Sequence, residues 1–138
     1  MQKIQVDRIL KSDGTDADTA VVSATNVYTR SYPIRYASTI AIAYRAKSET
    51  GTPDIDLYLQ QTHIDPASVT DGEDAAESVG NGWVQNATKV ADITDETWHH
   101  ATISAFALPY LRFFCDGQGA NPADCTLEIR ISKIEDIT

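Results

Sequence analysis

The sequence predicts an all-β protein built as an antiparallel two-sheet sandwich, and three observations lead to this fold class. Two apolar runs, 110–115 and 125–132, flank a turn rich in Asp, Gly, Asn and Pro, residues that favour tight or left-handed backbone. Residues 54–60 alternate between polar and apolar side chains, which is the period of a half-buried strand. No segment has a convincing helical period.

The number of strands favours a jelly-roll-like connectivity. Eight or nine short strands recur at regular spacing, which is nearer to the eight of a jelly roll than to the seven of an immunoglobulin-like sandwich. A chain of 138 residues is long enough to bury a core of its own. We therefore expect a single β-sandwich domain over residues 1–138, without internal repeats or a linker.

The first half of the chain contains a series of predicted strands. The first has Ile4, Val6 and Leu10 on one face, and the last has Ile40, Ile42 and Tyr44 on one face. Between them a Tyr-Pro pair indicates an edge or a corner, because proline cannot donate a hydrogen bond to a ladder. In chain order the segments are 3–10, 19–23, 26–29, the pair at 32–33, and 36–47.

Periodicity disappears over residues 62–82, where an irregular acidic loop is predicted. Loops of this length are uncommon in compact domains and tend to be binding loops or arms that contact a partner. We therefore take its acidic residues and the tryptophan that follows it as partner-contact candidates. These are Asp71, Glu73, Asp74, Glu77 and Trp83.

The acidic loop also contains candidate metal ligands. Carboxylate oxygens supplied by a loop suit calcium, which makes Asp71, Glu73 and Asp74 candidate calcium ligands. The spacing is not that of an EF-hand, and the competing interpretation is a solvated acidic loop. No cofactor is expected.

Strands resume after the loop and end in a predicted hairpin. The segments are 83–84, 89–93, 98–105, 110–115 and 125–132. In the last two, one parity is apolar in each run, which predicts an antiparallel ribbon with one buried and one wet face. The apolar parity comprises Leu111, Phe113 and Cys115, then Cys125, Leu127, Ile129 and Ile131.

The two cysteines, Cys115 and Cys125, both fall on the parity predicted to face the core. A disulfide needs suitable Cα and Cβ geometry, which spacing alone does not establish. In a reducing cytosol the pair would be buried thiols that act as small hydrophobes. We favour thiols over a disulfide.

Composition argues against two classes of partner. The net charge is −9, and residues 51–100 carry ten acidic groups against one basic group, Lys89. A domain this acidic repels phosphate backbones, so nucleic-acid binding is not expected. No apolar run approaches the ~20 residues of a membrane span, and the N-terminus lacks the apolar segment of a signal peptide.

No catalytic constellation is recognisable, and the chain is not expected to be an enzyme. His99 and His100 are neighbours on a predicted strand, so they point to opposite faces and do not readily share a metal. His63 is the third histidine. Cys115 lies on an apolar face, where a thiol is normally inert. No Gly-x-Ser-x-Gly elbow is present.

A carbohydrate-binding module is a further possibility. Trp83, Trp98, Tyr58 and Tyr110 could form an exposed aromatic platform for sugars. The alternative is that both tryptophans cover the edges of the core. The platform requires at least one of the two indoles to be exposed.

Several segments resemble small β-rich, capsid-associated proteins of tailed bacteriophages. The segments span most of the chain and consist of turns and strand edges. They are QKIQV at 2–6, the strand at 36–47 followed by GTPDIDL at 51–57, TWHH at 97–100, LPYLR at 108–112 and GQGANPAD at 117–124.

This resemblance implies a non-enzymatic virion structural protein that decorates or cements a capsid. Its partners would be the capsid protein and copies of itself, with a homotrimer as the favoured oligomer. It would be assembled in the host cytoplasm and located in the virion. The alternative function is the carbohydrate-binding β-sandwich module.

Overall fold

The computed structural model describes residues 2–8, 19–21, 26–29, 31–34, 37–63, 82–104 and 108–136. Eleven β-strands and no helix occur in these ranges, so none of the described residues belongs to a helix able to cross a membrane. The strands are β1 (Gln2–Arg8), β2 (Thr19–Val21), β3 (Asn26–Tyr28), β4 (Tyr32–Pro33), β5 (Ala37–Lys47), β6 (Ile55–Thr62), β7 (Val84–Gln85), β8 (Ala91–Ile93), β9 (His99–Ile103), β10 (Tyr110–Gly117) and β11 (Thr126–Asp136).

The strands form two antiparallel sheets. In sheet 1, β1 and β2 lie beside β11, which pairs with β5, and β5 pairs with the edge strand β9. In sheet 2, β3 and β4 lie beside β10, which pairs with β6, and β6 pairs with β7 and β8. Two short strands that pair with the same side of one neighbour occupy a single strand position in the sheet, which we call a lane. The pairs β1 and β2, β3 and β4, and β7 and β8 each share a lane, so the eleven strands fill eight lanes.

The order of these lanes is that of a jelly roll. Numbered along the chain, the lanes run 1-8-3-6 in sheet 1 and 2-7-4-5 in sheet 2. Successive lanes therefore cross from one sheet to the other, except at the turn between β6 and β7, as the double Greek key of a jelly roll requires. The predicted all-β sandwich is confirmed.

The core lies between the sheets and is formed by alternate residues of the central strands. In sheet 1, β5 contributes Ile40, Ile42 and Tyr44, and β11 contributes Leu127, Ile129 and Ile131. In sheet 2, β6 contributes Ile55, Leu57 and Leu59, and β10 contributes Leu111, Phe113 and Cys115. The buried parity is the one that the sequence alternation predicts, because a strand directs successive side chains to opposite faces.

The predicted hairpin near the C-terminus is wrong. β10 belongs to sheet 2 and β11 to sheet 1, so residues 118–125 cross from one sheet to the other. Each strand pairs with different partners, β6 and β5 respectively. The parity of the apolar residues was right, since both strands turn that face to the shared core. Alternation reports which face is buried but not which strand lies alongside.

Candidate functional site

The outer face of sheet 1 carries an exposed tryptophan between cationic side chains. Trp98 precedes β9 and is 43% exposed. The guanidinium carbon of Arg45 lies 4.8 Å from the centroid of its ring, and that of Arg130 lies 5.8 Å away. Arg130 also donates from Nη2 to Glu128 Oε1 at 2.7 Å. We call these four residues the Trp98 face.

Strand register explains how the Trp98 face forms. Arg45 in β5 lies opposite Glu128 in β11, and both have the parity that points away from the core. Ala43 lies opposite Arg130, so small side chains leave the arginines room to lie along the sheet. Each contact between an arginine and the indole stabilises by about 0.5–1 kcal/mol at an exposed site.

A cleft continues from the Trp98 face toward one end of the sandwich. Lys47 and Thr126 form the next outward pair beyond Arg45 and Glu128. The cleft has a volume of about 500 Å³ and is lined by Lys47, Ser48, Glu49, Glu96, Asp124 and Thr126. We call it the loop-end cleft. Its size falls in the range of pockets for small ligands.

Asp124 holds the two loops of this end together. Its carboxylate accepts hydrogen bonds from Thr50 Oγ1 at 2.6 Å, Ser48 Oγ at 2.7 Å and the backbone N–H of Glu49 at 2.8 Å. These donors lower the pKa of Asp124 to about 2, the hydroxyl of Thr50 having the largest effect. The turn after β5 is therefore fixed to the segment before β11 by an ionised side chain.

A second carboxylate fixes the turn before β9. Asp95 Oδ1 lies 2.7 Å from His99 Nε2 and accepts from the backbone N–H of Thr97 at 3.0 Å. These contacts, led by the hydrogen bond with His99, lower the pKa of Asp95 to about 2. The ring of His99 stacks on Tyr44 with centroids 5.7 Å apart. The exposed His100 lies opposite Ala43 on the outer face.

This Asp–His pair does not have the arrangement of a catalytic triad. Thr97 Oγ1 lies 3.1 Å from His99 Nε2, the same nitrogen that Asp95 contacts. In a triad the orienting carboxylate and the nucleophile occupy different ring nitrogens, so that the ring can pass a proton between them. Here the contacts converge on one atom, and the cluster organises the turn that carries Trp98.

The outer face of sheet 2 is organised around a buried arginine. Arg112 has 0% exposure, and its guanidinium carbon lies 4.3 Å from the ring centroids of both Tyr28 and Trp83. Its Nε donates to Gln60 Oε1 at 2.9 Å, and Gln60 donates in turn to Gln85 Oε1 at 3.1 Å. We call Arg112, Tyr28 and Trp83 the Arg112 stack.

The partner-contact prediction for Trp83 is not supported by its position. Its side chain is 5% exposed and covers Arg112, so the indole is not available at the surface. The predicted aromatic platform also divides between the two sheets. Trp98 lies on sheet 1, whereas Trp83, Tyr58 and Tyr110 belong to the side of sheet 2.

The remaining predicted site residues fall into two groups. Asp71, Glu73, Asp74 and Glu77 lie outside the described residues. Cys115 and Cys125 are free thiols, and both are buried. Cys115 lies in β10 of sheet 2, whereas Cys125 is the last residue of the crossing before β11 of sheet 1, so the two do not belong to one ribbon. In the part of the chain that is described, no three side chains of His, Cys, Asp or Glu are grouped to hold a metal ion.

The Trp98 face is the feature that sequence reasoning passed over. Its outward parity was visible, since Arg45 and Arg130 both fall on the polar side of their strands. The pairing of β11 with β5 was not predicted from the sequence. In the predicted hairpin, Arg130 would lie beside residues of β10 instead of beside β5. The register of the central strands brings the two arginines together.

Comparison with known proteins does not identify a family for this chain. No protein-family model and no curated protein matches the chain. Among solved structures, the carbohydrate-binding module CBM36 in complex with calcium and xylotriose has a TM-score of 0.36 and 15% identity, covering 97% of this chain and 93% of that one. The secreted serine protease VesC from Vibrio cholerae has a TM-score of 0.42 and 10% identity, covering 91% of this chain and 22% of the protease. Neither likeness assigns a function to this chain.

Proposed function

We propose that the chain is a non-enzymatic virion structural protein that decorates or cements a phage capsid as an oligomer. The observation that carries the proposal is the order of the eight lanes, 1-8-3-6 and 2-7-4-5. Jelly rolls with this connectivity are used as viral shell domains, as lectin domains and in cupins. The resemblance of the turn and strand-edge segments to capsid-associated proteins supports the first of these uses.

The construction of the fold suits a shell component. The core between the sheets is continuous, from Ile40 in β5 to Phe113 in β10. The loops at the Asp124 end are held by side-chain hydrogen bonds rather than left open. Such a body keeps its shape while its outer faces contact neighbouring proteins.

The Trp98 face has the composition of a protein-contact centre. Tryptophan and arginine are the residues most enriched among those that dominate binding energy at interfaces. Trp98 is exposed, and Arg45 and Arg130 hold its ring in one place. We assign the contact with the capsid protein to this face.

The test is co-sedimentation of the purified chain with capsid shells of the phage that carries this gene. We expect the wild type to sediment with the shells and Trp98→Ala to bind at least about tenfold more weakly, as a central interface tryptophan does. Thr94→Ala, at an exposed position four residues earlier, is the matched control and should bind normally. A wild-type chain that stays in the supernatant would sink the proposal.

A second candidate function is carbohydrate binding at the same end of the sandwich. The observation that favours it is the exposed indole of Trp98 beside the loop-end cleft, which is lined by carboxylates, hydroxyls and Lys47. A sugar ring can stack on an indole while its hydroxyl groups bond with such side chains. We propose separately that Asp71, Glu73 and Asp74 bind calcium, which is tested by comparing measurements with and without the ion.

Tryptophan fluorescence separates the two candidate functions. A panel of oligosaccharides, with and without calcium, should quench the emission of the wild type if sugars bind beside Trp98. The variant Trp98→Phe retains only the buried Trp83 and should lose the response. Absence of quenching over the whole panel would eliminate carbohydrate binding and leave capsid binding unaffected.

A further inference from the structure

β9 is an edge strand that lacks the usual protection of an edge. Among the described strands it pairs only with β5. Natural sheets protect edges with short strands, proline, charged residues or breaks, since unpaired backbone groups invite another strand. β9 has five residues, His99–Ile103, without proline, lysine or acid.

The other edges of the two sheets carry such protection. β7 and β8 have only two and three residues, and β8 contains Asp92. β4 contains Pro33, and β1 contains three charged residues in seven. β9 therefore differs from every other edge lane in the part of the chain that is described.

The side of the sandwich at β9 also has an open cleft of mixed polar and apolar lining. A cleft of about 340 Å³ opens between β9 and the β7–β8 lane, with Leu59, Val90 and Ile103 in its lining. The large apolar side chains that are exposed in the described residues are Val84, at 59%, and Trp98, at 43%. Val84 belongs to β7 of sheet 2, whereas the Trp98 ring lies over Arg45 and Arg130 on the outer face of sheet 1. We call β9 and this cleft the β9 side.

We propose that the β9 side binds a second copy of this chain, with β9 pairing antiparallel to β9 of the partner about a two-fold axis at Ala101. This pairing sets His100 against Thr102 and His99 against Ile103 in both directions, so no like charges oppose each other. For a chain of net charge −9, an edge strand without acidic side chains is the place where two copies can approach. The same pairing at β8 would bring the two Asp92 carboxylates close together.

The contact joins two sheets into one. Sheet 1 would continue from four lanes in one copy to eight across the pair. A two-fold contact gives an even number of copies, in contrast to the trimer expected from the resemblance.

Light scattering combined with charge-swapped variants tests the contact. The wild type should have twice the mass of the 15.1 kDa chain or an even multiple of it. His100→Asp with Thr102→Asp should be monomeric, and so should His100→Lys with Thr102→Lys. An equimolar mixture of the two double variants should restore the dimer, because each aspartate then faces a lysine. Ala120→Asp with Ala123→Asp, exposed positions in the crossing between β10 and β11, adds the same charge and should leave the dimer intact.

Hydrogen exchange gives an independent measurement on the wild type. The backbone amides of His99–Ile103 should exchange more slowly as the concentration rises and the dimer forms. A wild-type monomer or trimer, a dimer that persists in both charged variants, or a mixture that fails to associate would each overturn the proposal. Both experiments use the purified chain without capsid shells. Their results therefore do not depend on whether the chain binds a capsid.

Discussion

The guanidinium carbon of Arg112 lies 4.3 Å from the ring centroid of Trp83, on the outer face of sheet 2. Tyr28 lies at the same distance from it. A charged side chain with 0% exposure on the non-core side of a sheet is expensive unless other groups replace its hydration. The two rings and the hydrogen bond to Gln60 replace part of it, and this face of the sheet is packed around the guanidinium.

Removing the indole should therefore destabilise the fold as a core substitution does. We expect Trp83→Ala to lower the free energy of unfolding by about 3–5 kcal/mol, since a large buried ring is lost together with its contact to a desolvated cation. Urea unfolding followed by circular dichroism measures the change. Trp98→Ala is the control, because its ring is exposed, and should cost about 1–2 kcal/mol for its two contacts with arginine. Equal effects of the two variants would contradict the Arg112 stack.

Adjacent phenylalanines in β10 should differ in their effect on stability. Phe113 is 0% exposed in the core, and Phe114 packs on the outer face, 5.0 Å from the ring of Tyr28 and 6.0 Å from that of Tyr58. We expect Phe113→Ala to cost about 3–5 kcal/mol and Phe114→Ala about 1–2 kcal/mol, since its surroundings can relax into solvent. Chemical denaturation checks the order. A larger effect at Phe114 would mean that the faces of β10 are assigned in reverse.

Alternation in the sequence was sufficient to predict the fold class and the buried parity. Ile55, Leu57 and Leu59 alternate with polar residues, and each is at most 1% exposed. A strand leaves this signature because its period is two and the interior excludes unpaired polar groups. The pattern of each strand is local, so it can be read without knowing its neighbours.

Pairing between strands could not be read in the same way. The short crossing at 118–125 has the composition of a hairpin turn, yet it joins two sheets. Trp83 is buried because it packs on Arg112, and Arg112 is held by Gln60, which lies opposite it across the sheet. Arg112 and Gln60 are 52 residues apart in the sequence. The Trp98 face likewise depends on β11 lying beside β5. Each of these features needs the tertiary register.

Acid should weaken the fold through Asp95 and Asp124. Hydrogen bonds hold the pKa of each at about 2 in the folded chain, below the ordinary value of 3.8. The unfolded chain therefore binds protons first, so this stability is present above about pH 4 and is lost as the pH falls toward 2. Unfolding by urea at a series of pH values should show the loss, and Asp124→Asn should reduce its slope.

Removing one hydrogen-bond donor of Asp124 tests more directly whether this carboxylate causes the acid sensitivity. Ser48→Ala removes the hydroxyl that donates to Asp124 at 2.7 Å but keeps the carboxylate. The pKa of Asp124 should rise toward its ordinary value, so the loss of stability should begin at the same pH as in the wild type but be smaller and end at a higher pH. An acid limb that is identical in the wild type, Ser48→Ala and Asp124→Asn would assign the acid sensitivity to other groups.

The cysteines should be unreactive until the chain unfolds. Burial raises the pKa of Cys115 to about 12 and raises that of Cys125 as well, so little thiolate, the reactive form, exists at pH 8. We expect labelling of both thiols by a chromogenic disulfide reagent to be at least about a hundredfold slower in buffer than in urea. Cys125→Ala isolates Cys115, whose labelling should follow global unfolding. Rapid labelling of that variant in buffer would show that the core between the sheets opens without unfolding.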